Sequence, residues 1–282
     1  MQPTVMIETP TQAQPAPSLG FCGAILLMIG CFAIAIVPVA LVIVFTVATK
    51  THADSWVPRF AAGVLAVLGP LLLVRGKLRE LQIPFRSLFA AGALAWVRLP
   101  WVAVGVGGHL MVVIASYRFI ALHWPWFAAQ LRAIKFPFEG PAWAAGAIVM
   151  VLIPIVEEVL FRGVILQGML RRYRPRTALA AGAAVFALSH LEPVQLPVMF
   201  LVGIGLGWLY CQTRSLWLPM AAHAMNNGVA VIAHSLRAPE QFPLPTWLAV
   251  ALVLSGAGLL WAAYRGLARI ENRPVAPLAE PR

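Results

Sequence analysis

The chain has 282 residues, of which 61% are apolar and 11% are charged, and its mean hydropathy is +0.83. A typical soluble domain has about 25% charged residues, so this composition excludes a soluble globular protein and predicts an integral membrane protein. The net charge of +11 does not indicate a nucleic-acid partner, because the basic residues lie in short loops between apolar runs.

The two ends of the chain differ in composition from the rest. Residues 1–18 contain four prolines with polar spacers and predict a disordered N-terminal tail, and residues 271–282 predict a second tail. The tail before the first apolar run has no Lys or Arg, and that run is too long for a signal peptide, so we expect it to be a retained span. The membrane-embedded domain is therefore expected to cover residues 19–270.

Apolar runs of spanning length recur along this domain and predict an all-α, polytopic transmembrane helical bundle of about eight spans. The shorter run 88–97 is followed by Arg98 and predicts an interfacial helix. The three cysteines all lie in apolar runs, which argues against a disulfide framework. The predicted spans are 19–48, 57–74, 99–117, 142–166, 177–191, 194–212, 216–234 and 246–264.

Loop charge predicts the orientation of these spans. With eight spans, thirteen basic residues fall on one side and six on the other. The more basic side is expected to be cytoplasmic, which places both termini in the cytoplasm, most simply at the cell (inner) membrane.

Polar residues inside the apolar runs are the main clue to function. An ionisable side chain at bilayer depth costs roughly 2.5–3.5 kcal/mol or more, so such residues usually face a protein interior. In the segment EEVLFRG, Glu158 and Arg162 are four residues apart and can pair on one helix face, whereas Glu157 points elsewhere. A carboxylate left free in this way can act as a general base.

Further polar residues occur on the next apolar runs. His190 ends the segment FALSH one turn after Phe186, and His223 and Asn227 share a face of a later helix. With Glu157 they could hold a water, a base and donors for an oxyanion. Glu157, His190 and His223 could equally ligate a divalent metal such as zinc, and spacing alone leaves both alternatives open.

These three patterns, EExxxR at 157–162, FxxxH at 186–190 and HxxxN at 223–227, occur in order on successive apolar runs. Together they resemble the CPBP family of CAAX proteases and bacteriocin-processing enzymes, also called Abi proteins, with a CPBP-like core at 142–234. The resemblance implies an intramembrane glutamic endopeptidase that needs no cofactor. Glu157 and His190 would activate water, and His223 and Asn227 would form the oxyanion site. Glu158, Arg162 and Phe186 would shape the site.

The implied substrates are membrane-associated proteins or peptides within the lipid bilayer, with CAAX-type, sorting-tail or bacteriocin-like processing. The competing interpretations are a non-enzymatic immunity factor, a proton-coupled transporter, or a metal-dependent protease that uses the same residues. A transporter should show related broken helices in both halves, whereas the buried charge here is concentrated in the C-terminal half.

Overall fold

The computed structural model describes residues 16–49, 56–89, 95–133, 141–235 and 245–271, and all regular secondary structure in these ranges is helical. This confirms the predicted all-α membrane bundle. Most of the two predicted tails, residues 1–15 and 272–282, lies outside the described residues.

Twelve α-helices and two π-helical stretches make up the described bundle. In chain order they are α1 Phe21–Thr49, α2 Trp56–Leu68, α3 Leu71–Glu80, α4 Ala95–His123, α5 Pro125–Ala133, α6 Ala142–Gly146, π1 Ala147–Leu152, α7 Ile153–Glu158, π2 Val159–Leu166, α8 Gln167–Leu170, α9 Pro175–Leu188, α10 Leu196–Thr213, α11 Trp217–Ser235 and α12 Thr246–Glu271.

Five helical stretches among the described residues are long and apolar enough to cross a membrane: Phe21–Ala48, Trp56–Glu80, Trp96–His123, Leu196–Thr213 and Thr246–Ile270. The other three predicted spans are also helical but carry the polar motifs. Of these, α9 has only 14 residues, or about 21 Å at 1.5 Å per residue. The helices that carry the polar motifs thus pack against the longer, more apolar helices of the bundle.

The predicted interfacial helix at 88–97 lies only partly within the described residues. The structure has a 3₁₀ turn at Phe85–Phe89 and begins α4 at Ala95, while residues 90–94 lie outside the described ranges. Leu88 is fully buried, and its carbonyl accepts a hydrogen bond of 2.8 Å from the N–H of Leu216. The turn is therefore anchored in the bundle instead of lying along the membrane surface.

The segment that carries EEVLFRG is helical without interruption from residue 142 to residue 170, and we call it the motif helix. Pro154 and Gly163 flank the motif, and neither interrupts the helix. Two π-helical stretches occur instead, and in the first of them the N–H of Ile153 donates to the carbonyl of Ile148, five residues earlier. The wider turn makes room for the Pro154 ring, which would otherwise clash with the carbonyl four residues before it.

Hydrogen bonds hold the start of α1, the end of α3 and the end of the motif helix close together. Arg171, after the motif helix, donates to the carbonyls of Pro17 and Leu81, and the N–H of Leu19 donates to the Gly168 carbonyl at 3.0 Å. The start of α1, the end of α3 and the end of the motif helix therefore meet at one end of the bundle. The count of loop charges placed these same segments on one side of the membrane. Which side of the membrane this end faces remains a prediction.

Candidate active site

Glu158 is the best-connected acidic side chain of the described bundle. It is fully buried, and its Oε1 accepts hydrogen bonds from Nη1 of Arg162 and from Nδ1 of His223, both at 2.8 Å. The contact with Arg162 is the pair that the four-residue spacing predicted. A buried carboxylate is tolerated only when it is paired and hydrogen-bonded, and these two donors supply that compensation.

Arg162 connects the motif helix to two other helices. Its Nη2 donates to the carbonyl of Gly203 on α10 at 3.2 Å, and its guanidinium lies 4.5 Å from the ring centre of Phe186 on α9. Only 2% of the residue is exposed, so the positive charge is held entirely within the protein. The site is consequently fixed by contacts among three helices.

Gly203 permits this arrangement because it has no side chain. A Cβ at this position would lie 2.9 Å from Cα of Ala183 on α9, closer than real Cβ atoms come. Gly203 and Gly207 are small residues four apart, a pattern typical of close helix packing, and the approach of α10 to α9 agrees with it. The hydrogen bond from Arg162 to the Gly203 carbonyl was not predicted, because backbone acceptors leave no pattern in side-chain spacing.

His223 lies between the two glutamates. Because its Nδ1 is bonded to Glu158, we assign the proton to Nδ1, and Nε2 then lies 3.8 Å from Oε2 of Glu157. A carboxylate on one ring nitrogen fixes the orientation and the tautomer of a histidine and leaves the other nitrogen for chemistry. Sequence reasoning grouped His223 with Asn227 and did not identify Glu158 as its partner.

Glu157 is the less constrained of the two glutamates. Its Oε2 is buried and has no hydrogen-bond partner among the described residues, although 28% of the side chain is exposed. No ion pair with Arg162 occurs in the described ranges, which agrees with the predicted direction of Glu157 away from that residue. A buried carboxylate oxygen without a donor retains its full capacity to accept a proton or a water.

His190 lies just after the end of α9 and is held by the backbone. Its Nδ1 is 3.0 Å from the carbonyl of Phe186, so we assign the proton to Nδ1, which donates to that carbonyl. The lone pair of Nε2 is then available. Ser189, which sequence reasoning did not single out, also donates to the Phe186 carbonyl, at 2.7 Å.

Phe186 connects the polar residues through its ring. The ring is buried, and its centre lies 5.0 Å from those of His190 and Phe161 and 5.9 Å from that of His223, in edge-to-face arrangements. Aromatic pairs prefer this geometry, so Phe186 limits the positions that both imidazoles can take.

Asn227 has a structural partner. Its Nδ2 donates to the carbonyl of Val149 in π1 at 3.0 Å. The face of α11 that carries His223 and Asn227 therefore packs onto the motif helix, since His223 meets Glu158 and Asn227 meets Val149. One amide hydrogen of Asn227 remains for another acceptor.

The four residues expected at one active site, Glu157, His190, His223 and Asn227, do not all line the same described cavity. Glu157 and His190 line one cavity of about 260 Å³, whose other walls are mainly apolar side chains of α1, α2 and the motif helix, and we call it the front cavity. His223 lines a different cavity of about 370 Å³, the rear cavity, between α4, α10, α11 and α12. Asn227 lines neither of them, because its helix face is occupied by the contact with the motif helix.

The alternative zinc site at Glu157, His190 and His223 is not supported by the geometry. In the part of the chain that the structure describes, no three His, Cys, Asp or Glu side chains come together as a metal-binding group. The described side chains therefore do not form a three-ligand zinc site.

Two comparisons with known proteins match this part of the chain. Residues 138–229 match a family described as "Type II CAAX prenyl endopeptidase Rce1-like". A Bacillus subtilis (strain 168) protein named "Putative membrane peptidase YdiL" is 29% identical over 79 residues, which cover 28% of this chain and 32% of that protein. The match thus spans about a third of the length of this curated relative. No solved structure matched the chain significantly.

Proposed function

Residues 138–229 carry the Rce1-like signature of the CAAX protease family, and on this premise we propose that the chain is an intramembrane endopeptidase. It hydrolyses peptide bonds of membrane-associated proteins or peptides with water activated by Glu157 and His190. The matched segment contains all three motifs, from Glu157 to Asn227.

One observation carries the proposal. Glu157 presents a buried carboxylate oxygen without a partner to the same cavity that His190 lines, and the Nδ1–H bond of His190 to the Phe186 carbonyl leaves its Nε2 free to accept. One acceptor that takes a proton and a second that orients the water suit the deprotonation of a water. Glu158 differs from Glu157 in that its Oε1 accepts from Arg162 and His223, although its buried Oε2 also has no hydrogen-bond partner among the described residues.

In the proposed reaction, the water oxygen forms a bond to the carbonyl carbon of the substrate, and Glu157 takes one water proton. Collapse of the tetrahedral intermediate breaks the C–N bond, and the proton passes to the leaving nitrogen. His190 orients the attacking water through Nε2. General acid–base assistance of this kind typically contributes roughly 10²- to 10⁴-fold.

We further propose that His223 and Asn227 stabilise the oxyanion. Asn227 retains one amide hydrogen beside its bond to Val149. His223 donates through Nε2 when the ring carries both protons, and that charge then lies between Glu157 and Glu158. Glu158, Arg162 and Phe186 hold these donors in place, because preorganised donors stabilise developing charge without reorganising during the reaction.

The front cavity supports an apolar, membrane-embedded substrate. Its walls include Met28, Phe32 and Phe161 beside the two proton acceptors. We propose substrates cut near an apolar side chain, such as CAAX-type termini, sorting tails or bacteriocin-like peptides. The proposed location is the inner membrane, with both termini in the cytoplasm.

The test is peptidase turnover of the purified full chain on a library of membrane-derived peptides, with Glu157→Gln as the comparison. We expect defined cleavage products from the wild type and none from the variant. Binding of peptides or ions by a well-folded wild type, with no peptide bond cut, would instead favour a transporter or an immunity factor.

A further inference from the structure

The rear cavity contains polar side chains that the proposed mechanism does not use. His109, in the middle of α4, and Asn226, on α11, both line it together with His223. Within the described part of the chain, neither His109 nor Asn226 makes a side-chain hydrogen bond to the protein. The remaining walls are largely apolar and aromatic.

Unpartnered polar groups at this depth need a partner from outside the protein. Burying a hydrogen-bonding group without compensation costs roughly 1–3 kcal/mol in proteins. Lipid tails cannot hydrogen-bond, so they cannot supply the partner. Water can, provided that the space is large enough and that two to four polar groups converge on it.

The rear cavity meets both conditions. Its volume of about 370 Å³ is many times the roughly 10–15 Å³ that one water requires. Its polar groups are two imidazoles and an amide, which offer both donors and acceptors.

His223 is the side chain that connects the rear cavity to the catalytic residues. It borders the rear cavity, and its Nε2 is 3.8 Å from Oε2 of Glu157. A hydrolase consumes one water for each bond that it cuts, so its site must be resupplied with water. The imidazole of His223 therefore lies between the rear cavity and the Glu157 carboxylate, which would activate that water.

We propose that the rear cavity is a water-binding site within the bundle that supplies the hydrolytic reaction past His223. Asn226 and His109 are positioning residues that hold this water and do not touch the substrate. The inference rests on the proposed function for its role in turnover, whereas the hydration of the cavity can be tested without any substrate.

Two glycines allow a matched labelling test of hydration. Gly205 lines the rear cavity, and a Cβ there would meet no atom within 4 Å, so a small side chain enters open space. Gly107 is equally unobstructed and near the middle of α4, but it lies outside the lining of the rear cavity. In a background without Cys22, Cys31 and Cys211, Gly205→Cys and Gly107→Cys would be exposed to a charged methanethiosulfonate and to N-ethylmaleimide in lipid nanodiscs.

Thiols react as thiolates, which form in water and not in hydrocarbon. We expect the charged reagent to label Gly205→Cys and to spare Gly107→Cys. Failure of both reagents to label Gly205→Cys would indicate that bilayer lipid fills the cavity, and equal labelling of both positions by the charged reagent would show that the cavity is no more hydrated than the control position. Either result overturns the proposal.

The role in supply is tested by kinetics on the wild-type background. Asn226→Leu and His109→Leu should lower kcat by roughly ten- to a hundredfold, the cost of a mispositioned reactant, with KM unchanged. Asn226→Gln and His109→Gln should recover most of the loss, and Gly205→Leu should lower kcat while Gly107→Leu does not. A hydrated cavity whose leucine variants keep full kcat overturns the supply role, whereas absence of turnover in the wild type contradicts the proposed function and leaves the hydration result standing.

Discussion

The Nδ1 atom of His223 lies 2.8 Å from Oε1 of Glu158, across the interface between α11 and the motif helix. The same oxygen accepts from Arg162, which in turn donates to the carbonyl of Gly203 on α10. One carboxylate oxygen thereby holds a histidine and an arginine in fixed positions. In the proposed mechanism the second glutamate of the motif is therefore a structural anchor, and Glu157 is the general base.

This division predicts different consequences for the three charged residues of EEVLFRG. Glu158→Ala and Arg162→Ala each strand a buried charge, so each should lower the free energy of unfolding by roughly 3–5 kcal/mol. Glu157→Ala removes a carboxylate that has no ion-pair partner on the motif helix, and its effect should be much smaller. Thermal melting and expression in membranes compare the three, and equal losses would count against the anchor role of Glu158.

The contact at Gly203 provides a second stability test. Gly203→Ala places a methyl group against Ala183, which forces α10 away from α9 and lengthens the bond from Arg162 to the Gly203 carbonyl. Overpacking of this kind costs roughly 1–3 kcal/mol. Gly205→Ala, two residues along the same helix and in open space, is the matched control. If the two variants have the same melting temperature, close packing at Gly203 does not contribute measurably to stability.

Local geometry was predictable from the sequence where it depends on spacing along one helix. The Glu158–Arg162 pair follows from residues four apart, and it forms even where the helix changes from α to π geometry. The contact of Phe186 with His190 follows for the same reason. Close packing at Gly203 fits the same kind of pattern, because small residues four apart allow two helices to approach.

Contacts between helices were harder to predict from the sequence. The hydrogen bond of His223 to Glu158 joins residues 65 positions apart, and the division of the polar residues between two cavities depends on how four helices pack. The π stretches were missed because hydrophobic periodicity cannot distinguish a wide turn from an ordinary one over six to eight residues. Leu88 was assigned to the membrane surface because burial under a neighbouring helix is invisible in a short apolar run.

Catalysis by Glu157 and His190 predicts that activity does not depend on a bound metal. Elemental analysis of active protein and titration with chelators should find no stoichiometric zinc and no loss of turnover. Zinc at one per chain, whose removal stops cleavage and whose return restores it, would contradict this and reinstate Glu157, His190 and His223 as ligands.

The orientation can be tested with two exposed positions at opposite ends of the bundle. In a background without the native cysteines, Ser87→Cys should be protected from a membrane-impermeant reagent applied outside intact cells, and Pro193→Cys should be labelled. The reason is the excess of basic residues at the end that contains Ser87. The reverse pattern would place both termini outside and overturn the orientation.

The most direct test of the account is turnover by Glu157→Gln, measured beside its melting temperature. The substitution keeps the size of the side chain and removes its capacity to accept a proton, so we predict that cleavage falls by at least roughly 10²-fold while the melting temperature stays near that of the wild type. His190→Leu, which removes the acceptor proposed to orient the water, should show the same combination. A Glu157→Gln protein that folds normally and cleaves at the wild-type rate would contradict the assignment of Glu157 as the general base.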